Sequence, residues 1–168
     1  MNYCTIYKAD MINGKGVRVS LFVSGCSHHC PGCFNAKAWN EEYGKPYTQE
    51  IEDAIMEYLK VPYVDGLTFL GGEPMEPGHQ EYVWKLISRV RSELPDKNIW
   101  LYSGWTLEEL RAMQTPYVKQ IRSSVDVLVD GRFVQALKDP DIAFRGSSNQ
   151  RVIDMKKTGD GDPVLLMP

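Results

Sequence analysis

VRVSLFVSGCSHHCPGC, residues 17–33, runs from an apolar, β-branched segment straight into a loop of three cysteines and two histidines. Residues 17–25 are interrupted only by Arg18 and Ser20, the pattern of a buried strand. The sequence beyond repeats the arrangement. Ile51, Ala54, Ile55, Tyr58 and Leu59 recur at helical spacing within 48–60, with Thr48 placed to cap the helix. GLTFL (66–70) is a short strand, and Tyr82, Val83, Leu86, Ile87 and Val90 share one helical face within 79–93. NIWLY (98–102) is a third strand. Thr106 and Glu109 form a capping box that opens a short helix through Leu107, Leu110 and Met113. VDVLV (125–129) is a fourth strand.

Strands alternating with helices predict βαβ units, right-handed crossovers and a parallel sheet. Four clear strands are too few for a closed eight-stranded barrel of about 250 residues. The expected fold is therefore a single-domain α/β sheet, curved or open. After Gly131 the pattern fades: GSSNQ (146–150) reads as a polar loop, RVIDM (151–155) as a last strand and TGDGDP (158–163) as mobile. That divides the chain into a domain over 1–157 and a flexible C-terminal tail over 158–168.

Each strand is followed at once by a chemically distinctive loop: SGCSHHCPGC, GGEPMEP, SGW and DGRF in turn. In α/β sheets and barrels the carboxyl ends of the strands carry the active site, so these loops should surround one pocket. This is the layout of an enzyme. Composition agrees with a soluble globular chain: 168 residues, 43% apolar, 24% charged, net charge −3. Nothing in that balance calls for nucleic acid or a membrane surface as partner, and no apolar run nears the roughly 18 residues of a membrane span. MNYCTIYKAD at the start has neither basic head nor apolar stretch, so the expected location is cytoplasmic.

In a reducing compartment, close-spaced cysteines are metal ligands or catalytic groups more often than disulfides. Cys26, Cys30 and Cys33 stand together, and Cys4 stands apart. Structural zinc takes four ligands, usually two separated pairs; here the fourth would have to be His28 or His29, and no second pair follows. The intervening Ser, His, Pro and Gly are not core residues, which speaks against a chance group of buried thiols. The spacing favours iron–sulfur over zinc. Three thiolates on a cluster that usually takes four leave one iron open, and an open position marks a catalytic metal.

Cys26-x₃-Cys30-x₂-Cys33 after the first strand, with Gly71-Gly72-Glu73-Pro74 after the second, resembles the radical S-adenosylmethionine enzymes. NGKGVR (13–18), CPGCFN (30–35), IWLYSGW (99–105), DVLVDGRF (126–133) and RGSSNQR (145–151) are similar, within them, to the small activating enzymes of anaerobic ribonucleotide reductases. The resemblance runs from about residue 3 to residue 155. It implies a partial, open parallel β/α barrel with one [4Fe–4S] cluster on Cys26, Cys30 and Cys33, whose fourth iron is chelated by S-adenosylmethionine. It implies reductive cleavage to a 5′-deoxyadenosyl radical, which removes a hydrogen from one glycine of the large reductase subunit. It implies a low-potential electron donor such as flavodoxin. Backbone around Gly32, Cys33 and Phe34 is the expected adenine contact, although Gly32 stands where many of these enzymes carry an aromatic residue. Gly71 and Gly72 would let backbone approach the co-substrate closely, with Glu73 near its amino group or capping the turn. Ser103, Asp130, Arg18 and Arg145 are further candidates, each also readable as an ordinary turn, buried charge or solvated loop. Another glycyl-radical enzyme or a small molecule such as a deazapurine precursor is an alternative substrate, and a non-catalytic zinc-binding module is the alternative from another class.

Overall fold

Every apolar run read as a strand joins one sheet. The structure, a computed structural model, describes residues 1–167. Its elements in chain order are β1 (Asn2–Asp10), β2 (Arg18–Val23), β3 (Lys45–Pro46), α1 (Gln49–Leu59), β4 (Gly66–Gly71), α2 (Gln80–Glu93) and β5 (Asn98–Ser103). They continue with α3 (Leu107–Ala112), α4 (Val118–Ser124), β6 (Val127–Asp130), β7 (Arg151–Asp154), α5 (Met155–Thr158) and β8 (Leu165–Met167).

The sheet runs β3-β1-β2-β4-β5-β6-β7-β8 and does not close. Its centre is parallel, β2 beside β4, β4 beside β5 and β5 beside β6. Its flanks are antiparallel, with β1 and β3 on one side and β7 and β8 on the other. The expectation of a parallel sheet is corrected to a mixed one. Antiparallel neighbours need no crossover helix.

The parallel strands lie in sequence order, so each crossover steps the same way, and a constant right-handed sense puts every helix on one face. Alternation along the strands shows the result. Val19, Leu21, Leu67, Phe69, Ile99, Leu101 and Leu128 pack in one core with α1 through Ile55 and Met56, and with α2 through Val83, Leu86 and Ile87. The same core takes in Leu107 and Leu110 of α3 and Ile121 of α4. Each such side chain contributes about 1.5–3 kcal/mol on burial.

The other face carries Trp100, Val127, Val129 and Val152, with Tyr102 and Phe144 packed against them. No crossover helix covers it. Residues 131–150 pass over it instead, with one 3₁₀ turn at Gln135–Leu137. Phe144 is held there with its ring 5.1 Å from that of Trp100 at 72°.

The Thr106–Glu109 capping box forms reciprocally, Glu109 N donating to Thr106 Oγ1 (3.2 Å) and Thr106 N to Glu109 Oε2 (2.7 Å). Thr48 is the N-cap of α1, but its side chain makes no capping hydrogen bond. Over the stretch read as a flexible tail, Leu165 and Met167 pair with β7 and Arg111 donates to the carbonyls of Gly159 and Gly161. A strand laid on β7 satisfies an edge that would otherwise present unpaired backbone. Pro168, the last residue of that stretch, lies outside the described residues. Among the described residues no helix is long and apolar enough to cross a membrane.

Candidate active site

The carboxyl ends of β2, β4, β5 and β6 open onto one cavity of about 550 Å³ on the helix-free face. That is within the range of small-molecule and cofactor sites. Cys26, Cys30 and Cys33 all line it, from the loop after β2. Gly71, Gly72 and Glu73 line it from the loop after β4, Ser103 and Gly104 from the loop after β5, and Gly131 and Phe133 from the loop after β6. The strand-end loops meet as the order of elements requires.

The four cysteines are free and partly buried. Burial pushes the Cys26 thiol up to about 11, helped by the nearby Glu73 and Glu76 charges and opposed by backbone N–H donors at His28 and His29. Burial raises Cys30 as well. A metal bound through Cys26 and Cys30 would have to displace thiol protons. Among the described residues no three His, Cys, Asp or Glu side chains converge on the position of a single metal ion. A cluster makes a different demand, one thiolate per iron, and three thiols spread round a shared cavity fit it.

Gly72 stays at the site for a reason of packing. A Cβ there would lie 2.3 Å from the carbonyl oxygen of Gly25 and 3.0 Å from that of Ala38. Gly72 N donates to Val23 O (2.7 Å) and Glu73 N to Gly25 O (2.7 Å), so the GGEP turn is laid directly on the root of the cysteine loop. Gly71 adopts φ +111, a left-handed conformation that favours glycine.

Glu73 is 1% exposed and fully engaged. Its Oε1 accepts from Met75 N (2.8 Å) and Ser103 Oγ (2.9 Å), its Oε2 from Gly104 N (2.7 Å) and His28 Nε2 (2.9 Å). A buried carboxylate needs such donors. Glu73 thus does more than cap its own turn: it joins three strand-end loops. Ser103 lines the cavity with its proton committed to Glu73.

Three candidates stand outside the cavity lining. Arg18 is fully buried among strand backbone, donating to Leu67 O (2.7 Å), Asn98 Oδ1 (2.8 Å), Lys15 O (3.0 Å) and Thr68 Oγ1. Burial lowers its guanidinium to about 10. Asp130 accepts from Leu107 N (2.7 Å), the first residue of α3, and pairs with Arg151 through both oxygens. Both side chains serve the scaffold. Gly32 also lies off the lining, under the side chain of Gln135, whereas Phe34 and Arg145 line it. Phe34 is 87% exposed and stands at the rim.

GSSNQ proves to be a clasp on the loop after β6. Gln150 Nε2 donates to Gly131 O (2.8 Å), Asn149 Nδ2 to Arg132 O (2.9 Å), and Ser147 Oγ accepts from Val134 N (3.2 Å). Sequence reasoning also missed Arg132, whose Nε donates to His28 Nδ1 (3.0 Å). The only signal for either partner was its place in a strand-end loop.

A family described as a 4Fe-4S single cluster domain matches residues 12–153. The anaerobic ribonucleoside-triphosphate reductase-activating protein of Escherichia coli K12 is 45% identical over 154 residues, 90% of this chain and 97% of the relative. Its counterpart in Vibrio cholerae is 47% identical over 152 residues, covering 89% and 96%. That of enterobacteria phage T4 is 38% identical over 152 residues, covering 90% and 93%.

Proposed function

Since the chain belongs to the family of anaerobic ribonucleoside-triphosphate reductase-activating proteins, we propose that it activates such a reductase by radical S-adenosylmethionine chemistry. Cys26, Cys30 and Cys33 would hold a [4Fe–4S] cluster at the cavity, in a fold read as a partial β/α barrel. When bound and reduced, the cluster supplies one electron for cleavage of S-adenosylmethionine to methionine and a 5′-deoxyadenosyl radical, which takes a hydrogen atom from a glycine of the large reductase subunit. The observation that carries this reading is the meeting of all three cysteines with the GGEP backbone in one cavity.

The chain's own residues bind, orient and exclude water. Backbone of the GGEP turn and of Cys33-Phe34 borders the space for the co-substrate, and Arg145 lines the same cavity with a cation suited to its carboxylate. Phe22, Leu70, Tyr102 and Val129 give the cavity an apolar floor that disfavours water beside a reactive radical. Ile12 and Phe34, 78% and 87% exposed, stand at its mouth. An open mouth with an apolar rim suits a protein segment as substrate better than a small molecule, which a site would enclose. A soluble low-potential donor such as flavodoxin and a cytoplasmic location complete the proposal.

Anaerobic reconstitution with iron and sulfide tests it. About four irons per chain, an S = 1/2 signal on reduction and release of methionine from S-adenosylmethionine are expected. A colourless protein holding one zinc would overturn the reading.

A further inference from the structure

His28 lies between two of the cysteines, and its side chain is 4% exposed. Arg132 donates to its Nδ1 (3.0 Å). Arginine has no acceptor, so Nδ1 must present a lone pair, and the ring proton must sit on Nε2. From there it is donated to Glu73 Oε2 (2.9 Å). The chain Arg132–His28–Glu73 thus has one direction, set by its neighbours. It continues into Ser103 and Gly104 through Glu73. The four loops after β2, β4, β5 and β6 are thereby joined by consecutive hydrogen bonds.

Packing enforces the same placement. The His28 ring lies edge-on to Trp105 at 4.6 Å, and the Arg132 guanidinium stands 5.1 Å from the Trp105 ring centroid. A Cβ on Gly104 would come 2.4 Å from the His28 ring. The next residue, His29, holds a left-handed backbone at φ 45 and stacks on Trp39 at 4.8 Å. A non-glycine residue keeps such a conformation when its surroundings over-determine it. The bonds of His28 on one side and the His29 stack on the other supply that constraint within the cysteine loop.

We propose that His28 is a positioning residue: through Glu73 and Arg132 it fixes the Cys26–Cys33 loop against the other strand-end loops and sets the charge facing the iron–sulfur site. It rests on the reading of that site given above. His28 also links the Arg132 cation to Glu73 and adds a fourth donor to those from Met75, Ser103 and Gly104. Without it Glu73 confronts the cluster with more of its negative charge, which makes the cluster harder to reduce.

The test compares His28→Leu, which removes both bonds, with His28→Gln, whose amide can donate to Glu73 and accept from Arg132. Amide hydrogen exchange is read on the apoprotein, and the midpoint potential on the reconstituted protein. His28→Leu is expected to speed exchange in residues 24–33 and 103–105 by about tenfold, the size of one lost buried hydrogen bond. It is also expected to move the potential more negative. His28→Gln should restore both. Should His28→Leu fail to fold, Arg132→Leu, which removes the outer bond together with the Trp105 and Glu109 contacts of the guanidinium, should shift the potential in the same direction. Unchanged exchange in His28→Leu, or a changed potential that His28→Gln does not restore, would overturn the proposal. The exchange arm stands even if the wild-type chain takes up no cluster, so the two readings fail separately.

Discussion

Replacing Gly72 by alanine sets a methyl group 2.3 Å from the Gly25 carbonyl oxygen and 2.9 Å from its carbon. Both are backbone atoms and cannot swing aside. The Gly25 carbonyl is also the acceptor for Glu73 N, and Gly25 N donates to Ala38 O (2.8 Å), so relief by moving Gly25 weakens two further bonds. Overpacking of this kind costs about 1–3 kcal/mol. For a chain of this size each kcal/mol lowers Tm by about 2–4 °C, so a loss of about 2 kcal/mol corresponds to about 4–8 °C. Because the displaced segment is the root of the cysteine loop, iron uptake should fall as well. Gly78 is the control, since a Cβ there meets nothing within 4 Å. Gly78→Ala should be neutral or stabilise by about 0.4–1 kcal/mol through the unfolded chain. Scanning calorimetry of the apoproteins and iron analysis after reconstitution check both variants. A Gly72→Ala protein melting within about 1 °C of wild type with full iron would refute the packing argument.

Alanine at Cys26, Cys30 or Cys33 should abolish cluster assembly and co-substrate cleavage, while Cys4→Ala should keep both; iron and sulfide analysis with methionine release distinguishes them. Asp130→Ala should destabilise by about 3 kcal/mol in urea titrations, because it leaves the Leu107 amide unpaired and Arg151 without its buried partner. Arg18→Ala should cost about 3 kcal/mol or more, since it opens a cavity and orphans several buried acceptors at once. The hydrogen bond from Arg151 holds the Glu108 carboxyl down at about 2, below the ordinary 4.5. A depressed carboxylate stabilises above its unfolded value and loses that contribution as pH falls through the folded one. Glu108→Gln should therefore lower stability by less than about 1 kcal/mol at neutral pH, Glu108 being largely exposed. The difference from wild type should narrow as pH drops from 4.5 toward 2.

Much of the frame was legible because it rests on local pattern. Helical spacing found much of the buried faces of α1 and α2, although Tyr82 is exposed and the buried Met56 was missed; the Thr106–Glu109 pair found the start of α3, and strand-end loops located the cavity. What escaped depends on edges and on distant partners. β1 is only half buried and its pairing with β2 is irregular at two places, which breaks the alternation a strand needs to be seen. β3 is two residues long, and β8 is exposed at its edge. GSSNQ has the composition of a solvated loop, and its order comes from side-chain bonds to backbone at residues 131–134. Glu73 could be placed on the second loop, but its partners His28 and Ser103 lie 45 and 30 residues away. Arg132 lies 104 residues from His28. No periodicity connects residues so separated; only the sheet order brings them together.

The central claim concerns what leaves the cavity, and electron paramagnetic resonance reads it directly. The reconstituted protein is mixed anaerobically with reductant, S-adenosylmethionine and the large subunit of the cognate reductase. A glycine-centred radical on the large subunit is expected, absent when Cys26, Cys30 or Cys33 is alanine and absent when the radical glycine is replaced by alanine. Methionine released in stoichiometric amounts with no radical on the reductase, or an undiminished radical from Cys26→Ala, would contradict the assignment.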